Sequence, residues 1–183
     1  MINGEEMLSH IKMRQSDRGY EERSVEKEKL DRILEAGRMS PSACNSQPWK
    51  FIVVDDHDLR REIADAASAK ALGFNKFTGE VPVFIIIIRE KPKPIARIGG
   101  TIKDRDYSLI DVGIAAENIC LQAAAEGLGS CMLGWFNEKM VKELLKVPSD
   151  KRAELIITIG YPSKPSREKK RKSPGEVVSF NKY

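Results

Sequence analysis

Histidine is nearly absent from this sequence: His10 and His57 are the two in 183 residues, and both sit among polar neighbours. That leaves little support for a histidine-based metal site or a Ser-His-Asp triad. Cysteine is almost as scarce. Cys44, Cys120 and Cys131 are odd in number and have no C-x-x-C spacing, which argues against a disulfide framework and for a reducing, cytoplasmic compartment. The longest aliphatic stretch, Val83 to Ile88, is far too short to span a bilayer. Met1 to Lys12 is charged and lacks the apolar segment of a secretory signal. No G-x-G-x-x-G follows a strand-like segment, so no separate nicotinamide-binding domain is expected.

Charge of one sign is weak as well. The net charge is +4, and the excess crowds into Arg167, Lys169, Lys170, Arg171 and Lys172. A nucleic-acid binder more often carries its excess along a whole face, with interleaved aromatics. Neither nucleic acid nor a membrane is an expected partner. What remains is ordinary: 41% hydrophobic and 32% charged residues, enough for one soluble domain spanning residues 1–183 with a real core.

The apolar spacing predicts an α+β chain with about four strands in one sheet. Residues 5–13 read as a short helix, and 25–38 as a second with Leu30, Ile33, Leu34 and Gly37 on one face and Ser24 as N-cap. Lys50 to Val54 reads as a strand and Leu59 to Leu72 as a helix. Val81 to Arg89 is a strand apolar on both faces, as at the centre of a covered sheet. Lys91 to Gly100, with its prolines and glycines, reads as a loop. Asp106 to Leu128 reads as a long helix that is apolar nearly all round, with a partner subunit as the source of the extra burial. A helix over Glu138 to Lys146 and a strand over Leu155 to Tyr161 follow. Residues 162–183 hold no convincing element but carry Val177, Val178, Phe180 and Tyr183, the pattern of a tail that docks on something.

Three segments carry candidate chemistry. Arg14-Gln15-Ser16-Asp17-Arg18 offers two guanidinium forks and a hydroxyl, suited to phosphate oxygens; a solvated basic turn is the plainer reading. Ser40 to Trp49 is dense in small polar side chains between two prolines. There Asn45 and Gln47 can donate and accept against a heterocycle edge; a helix-to-strand turn is the alternative. Gly127 to Phe136 brings bare main chain into the open, where an N–H could meet a ligand nitrogen; the alternative is a glycine-capped helix followed by a buried strand. Cys44 lacks a histidine or second thiol and reads as packing.

Taken in order, Arg-x-Ser-x-Arg, Ser-Pro-Ser-Ala-Cys-Asn-Ser-Gln-Pro-Trp-Lys-Phe, Gly-Leu-Gly-Ser-Cys-Met-Leu-Gly, Ile-Thr-Ile-Gly-Tyr-Pro and a basic stretch, the chain resembles the nitroreductase family nearly end to end. The resemblance implies an intertwined α+β homodimer, a central, mostly antiparallel sheet flanked by helices, FMN at the subunit interface, and residues 162–183 docking on the dimer. It implies electrons passing from NADH or NADPH to a nitroaromatic, quinone or similar acceptor by ping-pong turnover. Carried over by motif, Arg14, Ser16 and Arg18 hold the FMN phosphate and ribityl chain. Pro41, Ser42, Ala43 and Asn45, with Gln47, line the flavin from the other subunit. Leu133, Gly134 and Trp135 lie along the ring, Asn75 or its neighbour Lys76 meets its edge, Lys170 and Lys172 reach the phosphate, and Gln15 counts among the cofactor-binding residues.

Two departures stand out: Gln15 replaces a second basic residue, and the stretch from Lys91 to Tyr107 lacks the extra helices of longer members. No catalytic side chain and no metal are expected, because the flavin supplies the electronics. The alternatives are a flavin-binding protein without turnover, or sibling chemistry such as ene reduction, dehalogenation or flavin destruction.

Overall fold

The computed structural model describes residues 3–68 and 74–183. Four strands, β1 (Trp49–Val54), β2 (Val83–Arg89), β3 (Gly129–Leu133) and β4 (Arg152–Gly160), pair antiparallel in the order β1-β2-β4-β3. Because side chains alternate along a strand, β2 feeds two cores at once. Phe84, Ile86 and Ile88 enter one with Val54, Ile63, Ala67, Phe77 and Val141. Val83, Ile85 and Ile87 enter the other with Ile33, Val112, Ala115 and Ile119. One face of the sheet is covered by α3 (His57–Ala67) and α6 (Glu138–Leu144), the other by α2 (Lys27–Arg38) and α5 (Tyr107–Ala125). The both-faces-apolar reading of the Val81–Arg89 segment is thereby accounted for.

Helix ends follow local chemistry. The first helix, α1 (Gly4–Met13), starts with a capping box between Asn3 and Glu6. Asp56 caps α3 by accepting from the N–H groups of Asp58 and Leu59. The sequence-based helix reached Leu72; residues 69–72 of it lie outside the described residues. Ser24 does not cap α2, which begins at Lys27 with Glu26 at the cap position and no side-chain bond there. Gly127 (φ +73°) closes α5, with the Leu128 N–H returning to the Ala123 carbonyl at 2.8 Å.

The main correction concerns residues 91–100. Only 91–93 are irregular; from Pro94 the chain is helical, and α4 spans Pro94–Lys103. Proline is compatible with a first helical turn, where its missing N–H would be unpaired anyway. Gly100 is required because a Cβ there would lie 2.5 Å from the Arg105 carbonyl. Ile95, Ile98 and Ile102 form an apolar stripe on α4 that is exposed. On α5, Val112, Ala115, Ala116, Ile119 and Ala123 are buried against the sheet and α2, whereas Leu109, Ile110 and Ile114 are exposed. By length and composition α5 could cross a membrane; its apolar character is used here in packing. The tail adds one short turn, α7 (Pro174–Val177), and its last apolar residues, Val177, Val178 and Phe180, are exposed.

Candidate cofactor site

The segment after α1 runs beside the start of edge strand β3. Ser16 forms a parallel bridge with Ser130, and the Asp17 N–H donates to the Ser130 carbonyl at 2.8 Å. Gly129 lets the two chains approach: a Cβ there would lie 2.7 Å from Asp17 Oδ2. Asp17 is buried, and that burial pushes its carboxyl above the usual range. The Gln15 amide, the Ser130 backbone, Arg167 and Arg14 pull the other way.

Arg14 is the focus of this corner. Its Nε is 3.1 Å from Glu117 Oε1 on α5, yet that nitrogen is buried without a properly directed hydrogen bond. The tail then brings more positive charge. Arg167 donates from Nη2 to the Ser16 carbonyl at 2.7 Å. Lys169 Nζ donates to the carbonyls of Lys12 and Arg14 and lies 3.4 Å from that of Ile11, capping the open end of α1. Burial, then Arg14 and Arg171, push the Lys169 ammonium below its usual range. Cations gathered this way suit a dianionic phosphate, and the Arg14 Nε without a hydrogen-bond partner fits the same ligand.

The sequence reading chose Lys170 and Lys172 for this role. Both are exposed, and neither side chain makes a hydrogen bond or ion pair among the described residues. Arg167 and Lys169 are instead the tail cations that contact this corner, and Arg171 lies close enough to act on the Lys169 charge. Arg18 is exposed beside them, with its carbonyl 3.4 Å from Lys164 Nζ.

At the other end of β3, Leu133 is buried, while Gly134 is exposed with nothing within 4 Å of where a Cβ would stand. Trp135 is 65% exposed. Asn75, held in a left-handed conformation (φ 55°), donates to the carbonyls of Ala67 at 3.0 Å and Trp135 at 3.2 Å. Asn75 and Leu133–Trp135 therefore form one unit on the same sheet edge as Arg14–Arg18.

Pro41–Gln47 lies elsewhere. It leads into β1, at the opposite edge of the sheet, three strand spacings or roughly 14 Å from β3. Cys44 (φ 53°), Asn45 (φ 50°) and Gln47 (φ 49°) are left-handed, a costly cluster for residues with side chains. Hydrogen bonds to side chains hold it. The Ala43 N–H donates to both Asp111 oxygens at 3.1 and 3.2 Å, and the Gln47 N–H to Ser42 Oγ at 2.9 Å. Asn118 donates to Ser40 Oγ at 2.8 Å and the Lys93 N–H to Ser46 Oγ at 3.3 Å. The Gln47 amide donates to Asn45 Oδ1 at 2.9 Å. Burial, the largest cause, raises the Asp111 carboxyl, with nearby Asp106 adding to the rise and the Ala43 N–H opposing it. Asp111 and Asp17 were missed from sequence; an acid between apolar Leu109, Ile110, Val112 and Ile114 was the available signal for Asp111.

Comparison with known proteins gives the class. The nitroreductase family model matches residues 11–161, and the chain belongs to that family. It is 32% identical, over 86% of each chain, to an Archaeoglobus fulgidus protein provisionally named NADH dehydrogenase/NAD(P)H nitroreductase. It is 24% identical to an iodotyrosine deiodinase from Thermotoga neapolitana, over 94% of this chain and 96% of that one. Among solved structures, an FMN-dependent nitroreductase from Clostridium difficile R20291 superimposes with a TM-score of 0.76 at 35% identity, covering 97% of this chain and all (100%) of the other. The fold is the nitroreductase-like α+β fold that the motifs implied.

Proposed function

We propose that this protein is an FMN-dependent oxidoreductase that works as a homodimer, carrying electrons from NADH or NADPH to nitroaromatic, quinone or similar electron-poor acceptors in ping-pong order. The observation that carries the cofactor assignment is the Arg14 corner, where Lys169 and Arg167 of the tail converge beside a buried guanidinium nitrogen that lacks a hydrogen-bond partner. Arg14, Lys169 and Arg171 would neutralise the phosphate, with Ser16 and Arg18 at its flank. Leu133, Gly134 and Trp135, with Asn75 behind them, would present an open strand edge to the flavin ring. When bound, the flavin supplies the hydride and electron chemistry. The chain's own work is to bind, orient and exclude water.

The dimer rests on geometry. Pro41–Gln47 and Arg14–Arg18 occupy diagonal corners of one sheet. A second copy would bring the strained, Asp111-held loop over the first copy's β3 edge. The exposed apolar faces of α4 and α5, together with Val177, Val178 and Phe180, supply surface that such a partner would bury. A reducing cytoplasmic setting fits three free cysteines.

The test is direct. Purify the protein, release its chromophore, identify it by mass, and follow NAD(P)H oxidation with a panel of acceptors. FMN with parallel double-reciprocal lines supports the proposal. A colourless protein, or FAD, sinks the cofactor assignment, and bound FMN without turnover leaves a flavin-binding protein. Similarity to the Thermotoga deiodinase favours reductive dehalogenation as a second reading, which halide release from an iodinated phenol would detect.

A further inference from the structure

We propose that Gln15 is a positioning residue that sets the register of the C-terminal basic segment, so that the tail's cations, and not Gln15 itself, meet the phosphate. This rests on the FMN reading for its ligand, although the clamp belongs to the protein alone. Both ends of the Gln15 amide are occupied. Its Nε2 donates to buried Asp17 Oδ1 at 2.7 Å, and its Oε1 accepts the Arg167 N–H at 3.0 Å. Arg167 then closes a ring by donating from its guanidinium to the Ser16 carbonyl at 2.7 Å.

The anchor cannot shift freely. Asp17 is 7% exposed and is packed so tightly on Gly129 that a Cβ there would meet its carboxylate. The residue type matters for a simple reason. A lysine or arginine at position 15 could donate to Asp17 but has no acceptor for the Arg167 N–H. Only a side chain that donates at one end and accepts at the other can join a buried acid to a tail amide. The neutral residue at this position, which reads as a lost phosphate contact, is therefore the piece that fixes the tail.

Register is what the clamp controls. With Arg167 fixed, Lys169 falls on the carbonyls of Lys12 and Arg14, and Arg171 lies close enough to act on the Lys169 charge. A slip of one residue would turn Glu168, Lys170 and Lys172 inward instead. An acid would then replace a base beside the phosphate.

The experiment is a cycle in full-length protein, with FMN affinity measured by flavin fluorescence against the apoprotein. Gln15→Ala should weaken FMN roughly tenfold, the scale of two lost hydrogen bonds, and change riboflavin, which has no phosphate, little. In the tail-neutral variant R167A/K169A/R171A, adding Gln15→Ala should cost nothing further, because its effect runs through the tail. An equal loss in both backgrounds would mean that Gln15 touches the phosphate directly and would overturn the proposal.

A second readout needs no cofactor. Trypsin should cut the apoprotein between residues 167 and 172 faster in Gln15→Ala than in the parent, and unchanged cutting overturns the clamp. Faster cutting in a protein that binds no FMN would support the clamp while sinking the flavin reading. If Gln15→Ala does not fold, Arg167→Pro removes the donated N–H from an exposed segment and takes the same two measurements.

Discussion

Replacing Arg14 by alanine is expected to weaken FMN binding by one to two orders of magnitude while leaving the fold standing. The structure separates the two effects. The Arg14 side chain is 20% exposed and its partner Glu117 41% exposed. An ion pair that open to water contributes about 1 kcal/mol or less to stability. Binding is a different matter, because the Nε is buried without a hydrogen bond and gains one only when a ligand supplies it. A charge-assisted hydrogen bond is worth about 1.5–3 kcal/mol, which converts to roughly tenfold up to somewhat over a hundredfold in Kd. Loss of Arg14 also relieves Lys169, whose ammonium is held down first by burial and next by Arg14. That relief offsets only the repulsive part, since Lys169 remains committed to the carbonyls at the end of α1. The assay is titration of apoprotein with FMN and, in parallel, with riboflavin, alongside thermal unfolding. An unchanged FMN Kd, or an equal loss for riboflavin, would show that Arg14 does not meet the phosphate.

Three further outcomes follow from the geometry. Gly134→Val should fold normally, because no atom lies within 4 Å of the added Cβ, yet stopped-flow mixing should show both half-reactions slowed; damage to one alone would mean that donor and acceptor use separate sites. Ile110→Asp places a charge on the exposed apolar face of α5 and should yield a monomer with little retained FMN by sedimentation, whereas a flavin-loaded dimer would move the interface elsewhere. Glu126 is held down to about 2, first by its hydrogen bond to Arg32. A depressed acid stabilises the fold above its ordinary pKa of 4.5 and loses that contribution as pH falls toward 2. Glu126→Gln should therefore lower the denaturation midpoint at pH 7, with the gap to the parent closing as the pH is lowered through that window; a gap independent of pH would refute the linkage.

How much of this was legible in the sequence depended on which side of a residue was buried within one chain. The α2 stripe of Leu30, Ile33 and Gly37 and the doubly apolar β2 were legible because their periodicity is satisfied by the chain's own core. The α4 helix was not, although Ile95, Ile98 and Ile102 have helical spacing. Its stripe faces outward, and Pro94, Gly99 and Gly100 are the usual punctuation of a loop. The phase of the tail was illegible for a related reason. A run of bases has no internal pattern that distinguishes the inward phase from the outward one. Nothing in Lys169-Lys170-Arg171-Lys172 tells which residue meets Arg14 until the Gln15 amide engages the Arg167 N–H.

The same logic explains why the site divides into parts that look incomplete. A single copy leaves an apolar α4, three exposed aliphatic residues on α5 and three left-handed residues in the loop before β1. Each is unfavourable alone: exposed apolar area forgoes about 25 cal/mol per Å², and each left-handed residue with a side chain costs roughly 1 kcal/mol. Evolution tolerates such features where something else is gained. The loop is not floppy, since Asp111, Ser42 and Asn118 restrain it in its strained shape. A strained and restrained loop at one corner, and an unsatisfied guanidinium at the opposite corner of the same sheet, are the two halves expected when one ligand is shared between two copies. On that argument dimerisation and cofactor binding are linked equilibria: FMN should tighten the dimer, and dilution to monomer should release FMN. Sedimentation of apo and loaded protein across a concentration series measures the coupling directly, and identical dimer dissociation constants with and without FMN would break the link between the two corners.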